Sequence, residues 1–429
     1  MMNGNRPNIL VLGGGFGGLE AAFYLRMKLD DRADITLVSD RDYFLFKPNT
    51  IYIPFGLDPE KLKVGLERPT RRKKIAFIKD RVREVDPDAK RVSTEGRELS
   101  YDFLVVATGA DMRPEEVPGL KEHAETIWTP REMLKLRLAL YDLLEEAREG
   151  HNRRVLFLVA PNNKCAGPLY ELVFMLDTWL RRKKVRTNVD LTWSTYEQTY
   201  IQAFGPRLHD VVTREFERRV VAGHTEYVAE KVEKGEVRYT NGEVLPYDLL
   251  VTFSPYVAEV TYPTFPGDDR GFIQSALGSR QVVGHPDIYA VGDAGDFPVK
   301  QAFLAFLQAD AAAEHLSARV LGTEPEIAFE PVSMCVMEQF DKATFAQVPL
   351  RLTGVPEKPI EVDPAAIDAY KVGSYAAWRL GKKALGYYLP FRFALGNPFH
   401  AGVPWKGMEV GLKAMSGLMA NKGTPTLSP

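Results

Sequence analysis

The chain reads as an α/β protein with two Rossmann-like, dinucleotide-binding-type domains and a C-terminal α+β region. Three observations predict this. An apolar run at 8–12 opens directly onto a glycine-rich turn and a helical pattern. The segment YDFLVVATG at 101–109 returns as YDLLVTFSP at 247–255, each copy following a hairpin-like stretch. The chain has 429 residues, 45% of them hydrophobic and 26% charged, which is enough for two or three cores of ordinary globular composition. The echo implies that the second domain is inserted into the first. The expected division is 1–115 with 270–325, then 116–269, then 326–429.

The first element is NILVL at 8–12, a short apolar run of the kind found in buried parallel strands. Gly13-Gly14-Gly15-Phe16-Gly17-Gly18 follows, then a helical pattern, LEAAFYLRMKL. Gly13, Gly15 and Gly18, with Phe16 inside the turn, fit the phosphate-binding fingerprint. The first glycine makes a tight turn, the second lets backbone approach a pyrophosphate, and the third lets helix and strand pack closely. The helix N-terminus then offers free N–H groups to the phosphates. A second strand, DITLVS, ends at Asp40, about 20 residues on, where a ribose-binding acid belongs.

The second domain opens with a strand at 154–159 and continues with a helix at 169–180. The loop between them, APNNKCAGP, has kept only Gly167 of the expected glycines. Pro161 and Pro168 remove N–H donors and stiffen the loop, so NADH binding is disfavoured there. In its place stands Cys165, before a helix N-terminus and beside Lys164, two features that favour thiolate. Glu171 follows as a carboxylate able to move protons near the sulfur. The chain has one other cysteine, Cys335 in PVSMCVMEQF. The two are either inert core filler or a redox dyad, and too few for a secreted disulfide scaffold.

Two segments, YDFLVVATG and IYAVGD at 288–293, resemble signatures of the two-dinucleotide-domain disulfide reductases. That resemblance implies FAD, with Thr108, Gly109, Gly292 and Asp293 beside it. The helix read from FPVKQAFLAFLQADAAAEHL directs its N-terminus at the flavin, and Lys300 adds a charge there or is a solvated lysine.

KCAGPLYELVFM at 164–175 and SMCVMEQF resemble the two redox-cysteine segments of the sulfide:quinone oxidoreductases. ITLVSDRDYFLFKPN and TFSPY resemble further segments of that family. The resemblance implies oxidation of sulfide or a related sulfur species by a Cys165/Cys335 pair, with Glu171 as proton acceptor. One cysteine takes the sulfur as persulfide, the other thiolate (Cys335) reacts with the flavin, and electrons pass to a quinone. Phe391, Phe393 and Lys382 are the implied quinone-side residues. Many family members carry a third cysteine where this chain has Trp128, so the FAD is expected to be non-covalent. Family histidines are absent, Ala203 standing at one such position. Alternative readings are an NADH:quinone oxidoreductase-like enzyme, a sulfide dehydrogenase flavoprotein subunit, and a non-catalytic flavin redox sensor.

From about Tyr375, aromatics interleave with Lys and Arg: Trp378, Tyr387, Tyr388, Phe391, Phe393, Phe399 and Trp405. This pattern suits a headgroup layer, with 406–420 as an amphipathic helix and a domain-closing helix or homo-oligomer contact as the other reading. The expectation is a peripheral membrane protein. No signal peptide is read at the start, and no stretch is apolar enough to span a bilayer. His400 reads as a turn residue, and no His/Cys/Asp grouping has metal-ligand spacing. A formal net charge of −2 argues against a nucleic-acid partner.

Overall fold

A computed structural model of the chain describes residues 6–356 and 358–420. Residues 1–5, where the signal-peptide reading begins, and 421–429 lie outside the described residues.

The strand Asn8–Leu12 sits centrally in a six-stranded sheet, between Phe103–Val106 and Asp34–Ser39. Ala76–Lys79 extends the sheet on one side and His285–Ala290 on the other, all parallel, with Gln281–Val282 as an antiparallel edge. All four residues of Phe103–Val106 are buried, as both-face covering of a parallel sheet requires. Gly13 has φ +110, and a Cβ there would lie 2.2 Å from the Ala107 carbonyl oxygen. A Cβ on Gly18 would lie 1.8 Å from the Gly13 carbonyl oxygen, so helix Phe16–Leu29 can sit this close only on glycine. That helix packs on Ala302–Leu321, alanines from both (Ala21, Ala22, Ala309, Ala312, Ala313) lying in one buried cluster.

A second sheet is wholly parallel, in the order Glu125–Thr126, Leu249–Phe253, Arg153–Val159, Val189–Thr195, Val221–His224. The sequence echo is topological. A three-stranded meander (Val82–Asp86, Arg91–Thr94, Glu98–Ser100) precedes Phe103–Val106, and another (Ala229–Glu233, Glu236–Tyr239, Val244–Pro246) precedes Leu249–Phe253. Ala110–Met112 pairs antiparallel with Tyr256–Ala258, tying the two halves together.

The C-terminal region is an antiparallel sheet in which Ala343–Leu352 pairs with Val332–Glu338, Ile360–Val362 and Lys371–Tyr375. Two helices follow, Ala377–Ala394 and Gly402–Met419. Here the aromatic reading needs correction. Trp378 is fully buried, stacked on Phe345 with centroids 4.2 Å apart at 13°. Phe393 and Phe399 are buried too, Trp405 packs on Phe399, and Tyr388 sits against Phe399. Of the seven aromatics only Tyr387 (80% exposed) and Phe391 (61%) stay outside. Composition resembles a headgroup layer because residues that plug a domain junction have the same mixture of rings and cations. The exposed apolar surface is instead a stripe: Leu380, Tyr387 and Phe391 on one helix, Val403, Val410 and Leu418 on the other. Among the described residues no helix is long and apolar enough to cross a membrane.

The C-terminal sheet is fastened to the second domain by buried charge. Arg219 (1% exposed) bonds Asp177 at 2.8 Å, Gln339 at 2.9 Å and Asp341 at 2.8 Å. Breaking a buried pair strands the surviving charge, so Arg219→Leu is expected to lower unfolding free energy by about 3–5 kcal/mol. Urea-induced unfolding measures this, and a loss below about 1 kcal/mol would mean the network contributes little.

Candidate active site

The two nucleotide-type halves and the C-terminal region enclose a cavity of about 730 Å³, within the range of sites that enclose a cofactor. Gly13, Gly15, Phe16, Asp40, Thr108, Gly109, Gly292, Asp293 and Lys300 all line it. Gly18 lies beneath, at the helix–strand contact described above. A Cβ on Gly15 would meet nothing within 4 Å, so the turn leaves open space where a phosphate would approach. Gly109, with φ +82, is similarly open. Asp40 follows the end of its strand, half-exposed at the cavity edge.

Lys300 is not a solvated lysine. It is buried, its ammonium donates to the Gly295 carbonyl oxygen and lies 3.8 Å from the Phe272 ring centroid. Burial depresses its pKa to about 7, partly offset by Asp293. Asp293 is held above the usual carboxylate range by burial, against the pull of Lys300 and Lys47. Sequence reasoning missed Lys47. Its ammonium sits 3.1 Å from the centroid of a Trp128 ring and burial lowers its pKa to about 8. The available signal was a lysine set within the apolar run FLFKPN.

Cys165, Cys335, Glu171 and Lys382 line the same cavity. Helix Gly167–Arg182 packs against strand Val332–Glu338, which brings the two cysteines from separate regions to one space. Glu171 is buried, ion-paired to Lys382, and accepts the Glu338 backbone N–H at 3.2 Å. Burial raises its pKa, Lys382 opposing. Asn163, another residue the sequence did not flag, holds the Cys165 loop. Its amide donates to the carbonyls of Phe253 (3.1 Å) and Ser254 (3.2 Å), and its Oδ1 accepts the Cys165 N–H at 3.0 Å. The amide a phosphate would need is already occupied.

The expected thiolate at Cys165 is overturned. Burial pushes this thiol up to about 12, with Asp293 and Glu171 adding to the rise, outweighing the bond from the Gly167 N–H. Cys335 is raised too, by burial and then Glu171, with Lys382 opposing. The local cues, helix start and Lys164, are outvoted by desolvation, and Lys164 is itself lowered by burial.

The quinone-side expectation is corrected in part. Lys382 reaches the cavity with Leu385 and Leu389, one face of helix Ala377–Ala394. Phe391 points outward, and Phe393, a turn beyond Leu389, is buried against Phe23, Phe44 and Phe306. His400 is in the turn between the last two helices, but its ring is engaged, bonding Asp310 at 2.6 Å. Ala203 packs against the core.

Residues 7–154 match the family described as pyridine nucleotide-disulphide oxidoreductase. A sulfide-quinone reductase of Aquifex aeolicus is 34% identical over 200 residues, covering 46% of this chain and 45% of that protein. The chain is a homologue of the sulfide:quinone oxidoreductases. The solved sulfide:quinone oxidoreductase of Aquifex aeolicus superposes with a TM-score of 0.84 at 22% identity, covering 95% of this chain and 96% of that one. The whole fold, C-terminal region included, is thus shared with that homologue. A type II NADH:quinone oxidoreductase of Staphylococcus epidermidis is 32% identical over 134 residues, only 30% of this chain.

With both thiols held neutral, alkylation of Cys165 in the reduced protein is expected to speed up about tenfold per pH unit from pH 7 to 10. Peptide-mapped iodoacetamide labelling measures it, and a plateau below about pH 9 would restore the low-pKa reading of the helix start.

Proposed function

We propose that the chain is an FAD-dependent oxidoreductase that oxidises sulfide, or a related sulfur species, through Cys165 and Cys335 and delivers the electrons to a quinone. The observation that carries this is the convergence of both cysteines, Glu171 and Lys382 on the cavity that also holds the glycine-rich cradle. The open Gly15 and Gly109, the buried Lys300 and the partly buried Lys47 and Asp293 fit a dinucleotide, the first glycines facing its phosphates and Asp293 its sugar chain. When bound, the flavin supplies the two-electron relay between sulfur and quinone. Trp128 at the position of the family's third cysteine supports non-covalent attachment. The assignment of 1–115 with 270–325 to the cofactor, 116–269 to Cys165 and 326–429 to Cys335 is part of the same proposal.

The residues divide the work as follows. In the oxidised state Cys165 and Cys335 are joined, directly or through sulfur. Hydrosulfide attacks the Cys165 sulfur, the bond to Cys335 breaks, and Cys165 is left as persulfide with Cys335 as thiolate. Lys382 stabilises that thiolate, whereas ionised Glu171 opposes it. Protonation of Glu171 by the incoming sulfur species removes the opposing charge, so proton uptake and thiolate release reinforce one another. The exposed stripe on the last two helices supports peripheral attachment to a membrane, where a quinone is dissolved.

Anaerobic mixing with sulfide is expected to bleach the flavin of the wild-type protein, and Cys165→Ser or Cys335→Ser to slow this at least about 100-fold. An unchanged rate in both variants would sink the dyad. Rapid bleaching by NADH, with none by sulfide, would install the NADH:quinone reading instead.

A further inference from the structure

We propose that Glu20, Asp310 and His400 form a proton-holding cluster that supplies a proton to the acceptor reduced at the aromatic end of the cavity. The role rests on the quinone half of the proposed function.

The three residues come from three elements: helix Phe16–Leu29, helix Ala302–Leu321 and the turn before Gly402–Met419. One polar atom from each lies within 4.8 Å of the others. The backbone N–H groups of Phe399 and His400 donate to Glu20 at 2.6 and 3.1 Å. His400 Nδ1 and Asp310 Oδ2 are 2.6 Å apart. Two atoms are left over: Asp310 Oδ1 and His400 Nε2 are buried without a hydrogen-bond partner among the described residues. The cluster is therefore built beyond what its own bonds use.

Its charge is unbalanced as well. Two cations on the packed elements are committed elsewhere: Lys28 pairs with Glu314 at 2.9 Å, and Arg392 donates to the carbonyls of Pro398 and Ala401. Tyr24 also donates to Glu314, and Glu409 is the remaining charged group acting on His400. Among the described residues two buried carboxyls thus face one imidazole with no cation paired to them, and a proton is the simplest way to satisfy them. Burial holds Glu20 well above its usual range and lifts Asp310 to about 7, while it lowers His400 to about 4. Near neutral pH the proton sits on carboxyl and the imidazole is neutral.

The position assigns the use. The His400 ring lies 4.5 Å from Trp405, 4.8 Å from Phe399 and 5.3 Å from Phe303, centroid to centroid. All three line the cavity's apolar end, with Leu389 and Leu412, and His400 lies directly behind them, outside the cavity wall. Reduction of a quinone to a hydroquinone takes two electrons and two protons, and these aromatic and aliphatic side chains carry no proton to give. In the proposed step the Phe399 and Trp405 rings part to uncover Nε2, and the Asp310 carboxyl passes its proton to His400 Nδ1 as Nε2–H passes one to an acceptor oxygen. The acceptor gains one proton, the imidazole stays neutral, and Asp310 becomes a carboxylate refilled from solvent on the Glu409 side. The electrons are those taken from sulfur, and the second proton arrives with them.

The test uses the flavin-loaded protein reduced photochemically, so that sulfide plays no part, and mixed with a water-soluble short-chain quinone. Wild-type reoxidation is expected to fall as pH rises through about 7, because the donor is lost as Asp310 ionises. Asp310→Asn and His400→Gln are each expected to slow it about tenfold or more and to flatten that pH profile. A second readout needs no turnover: the infrared band of a protonated carboxyl at neutral pH is expected in the wild type and diminished in Asp310→Asn. Unchanged rates and pH profiles in both variants overturn the inference, as does a stoichiometric divalent cation in the purified protein that Asp310→Asn removes. If quinone fails to reoxidise even the wild type, the acceptor half of the proposed function falls and takes this role with it. Failure in the variants alone leaves that function standing.

Discussion

Matched burial of charge at the junction of helix Gly167–Arg182 with strand Val332–Glu338 is the constraint on which the rest depends. A carboxylate inside a protein is tolerated only with a partner. Glu171 meets that condition through Lys382, from a helix far along the chain, and through the Glu338 amide. Glu338 in turn is held by Arg379 and by the Tyr52 hydroxyl. Asp177, two turns along the same helix, is matched by Arg219 and Arg186. These pairs use residues from all three regions, so the position of each cysteine is coupled to the position of the others' anchors.

This arrangement alters how the thiols are to be understood. A helix start beside a lysine suggests a stable thiolate, but burial dominates and both sulfurs are held as neutral thiols. A thiolate made there by bond cleavage is therefore high in energy and strongly nucleophilic, since nucleophilicity rises with thiol pKa. Glu171 and Lys382 act on Cys335 with opposite sign, so the protonation state of one carboxyl tunes the energy of that thiolate. The loop that normally cradles a second nucleotide has been rebuilt to the same end. Asn163 fixes it with three bonds, one of which takes up the Cys165 N–H.

How much of this was legible in the sequence depends on the range of the interaction. The turn at Gly13, Gly15 and Gly18 was legible because its requirements are local: a positive φ, a close approach and an open face. The doubled meander-and-strand unit was legible because repetition survives in the pattern of residues. Trp378 and Phe393 were misread because their burial is decided by partners far away in the chain, Phe345 in one case and Phe23 and Phe44 in the other. His400 looked like a turn residue for the same reason, since Glu20 and Asp310 join it only through packing. Lys47 lay in plain view, but nothing local indicates that its ammonium ends over Trp128.

The proposed chemistry requires Cys165 and Cys335 to be joined, directly or through sulfur, in the working protein. Peptide mapping by mass spectrometry of the oxidised protein, with free thiols blocked first, reads out that linkage. A single cross-linked species containing both cysteines, with or without added sulfur atoms and released by reductant, is the result predicted. Two separately alkylated cysteines, before and after treatment with sulfide and quinone, would contradict it.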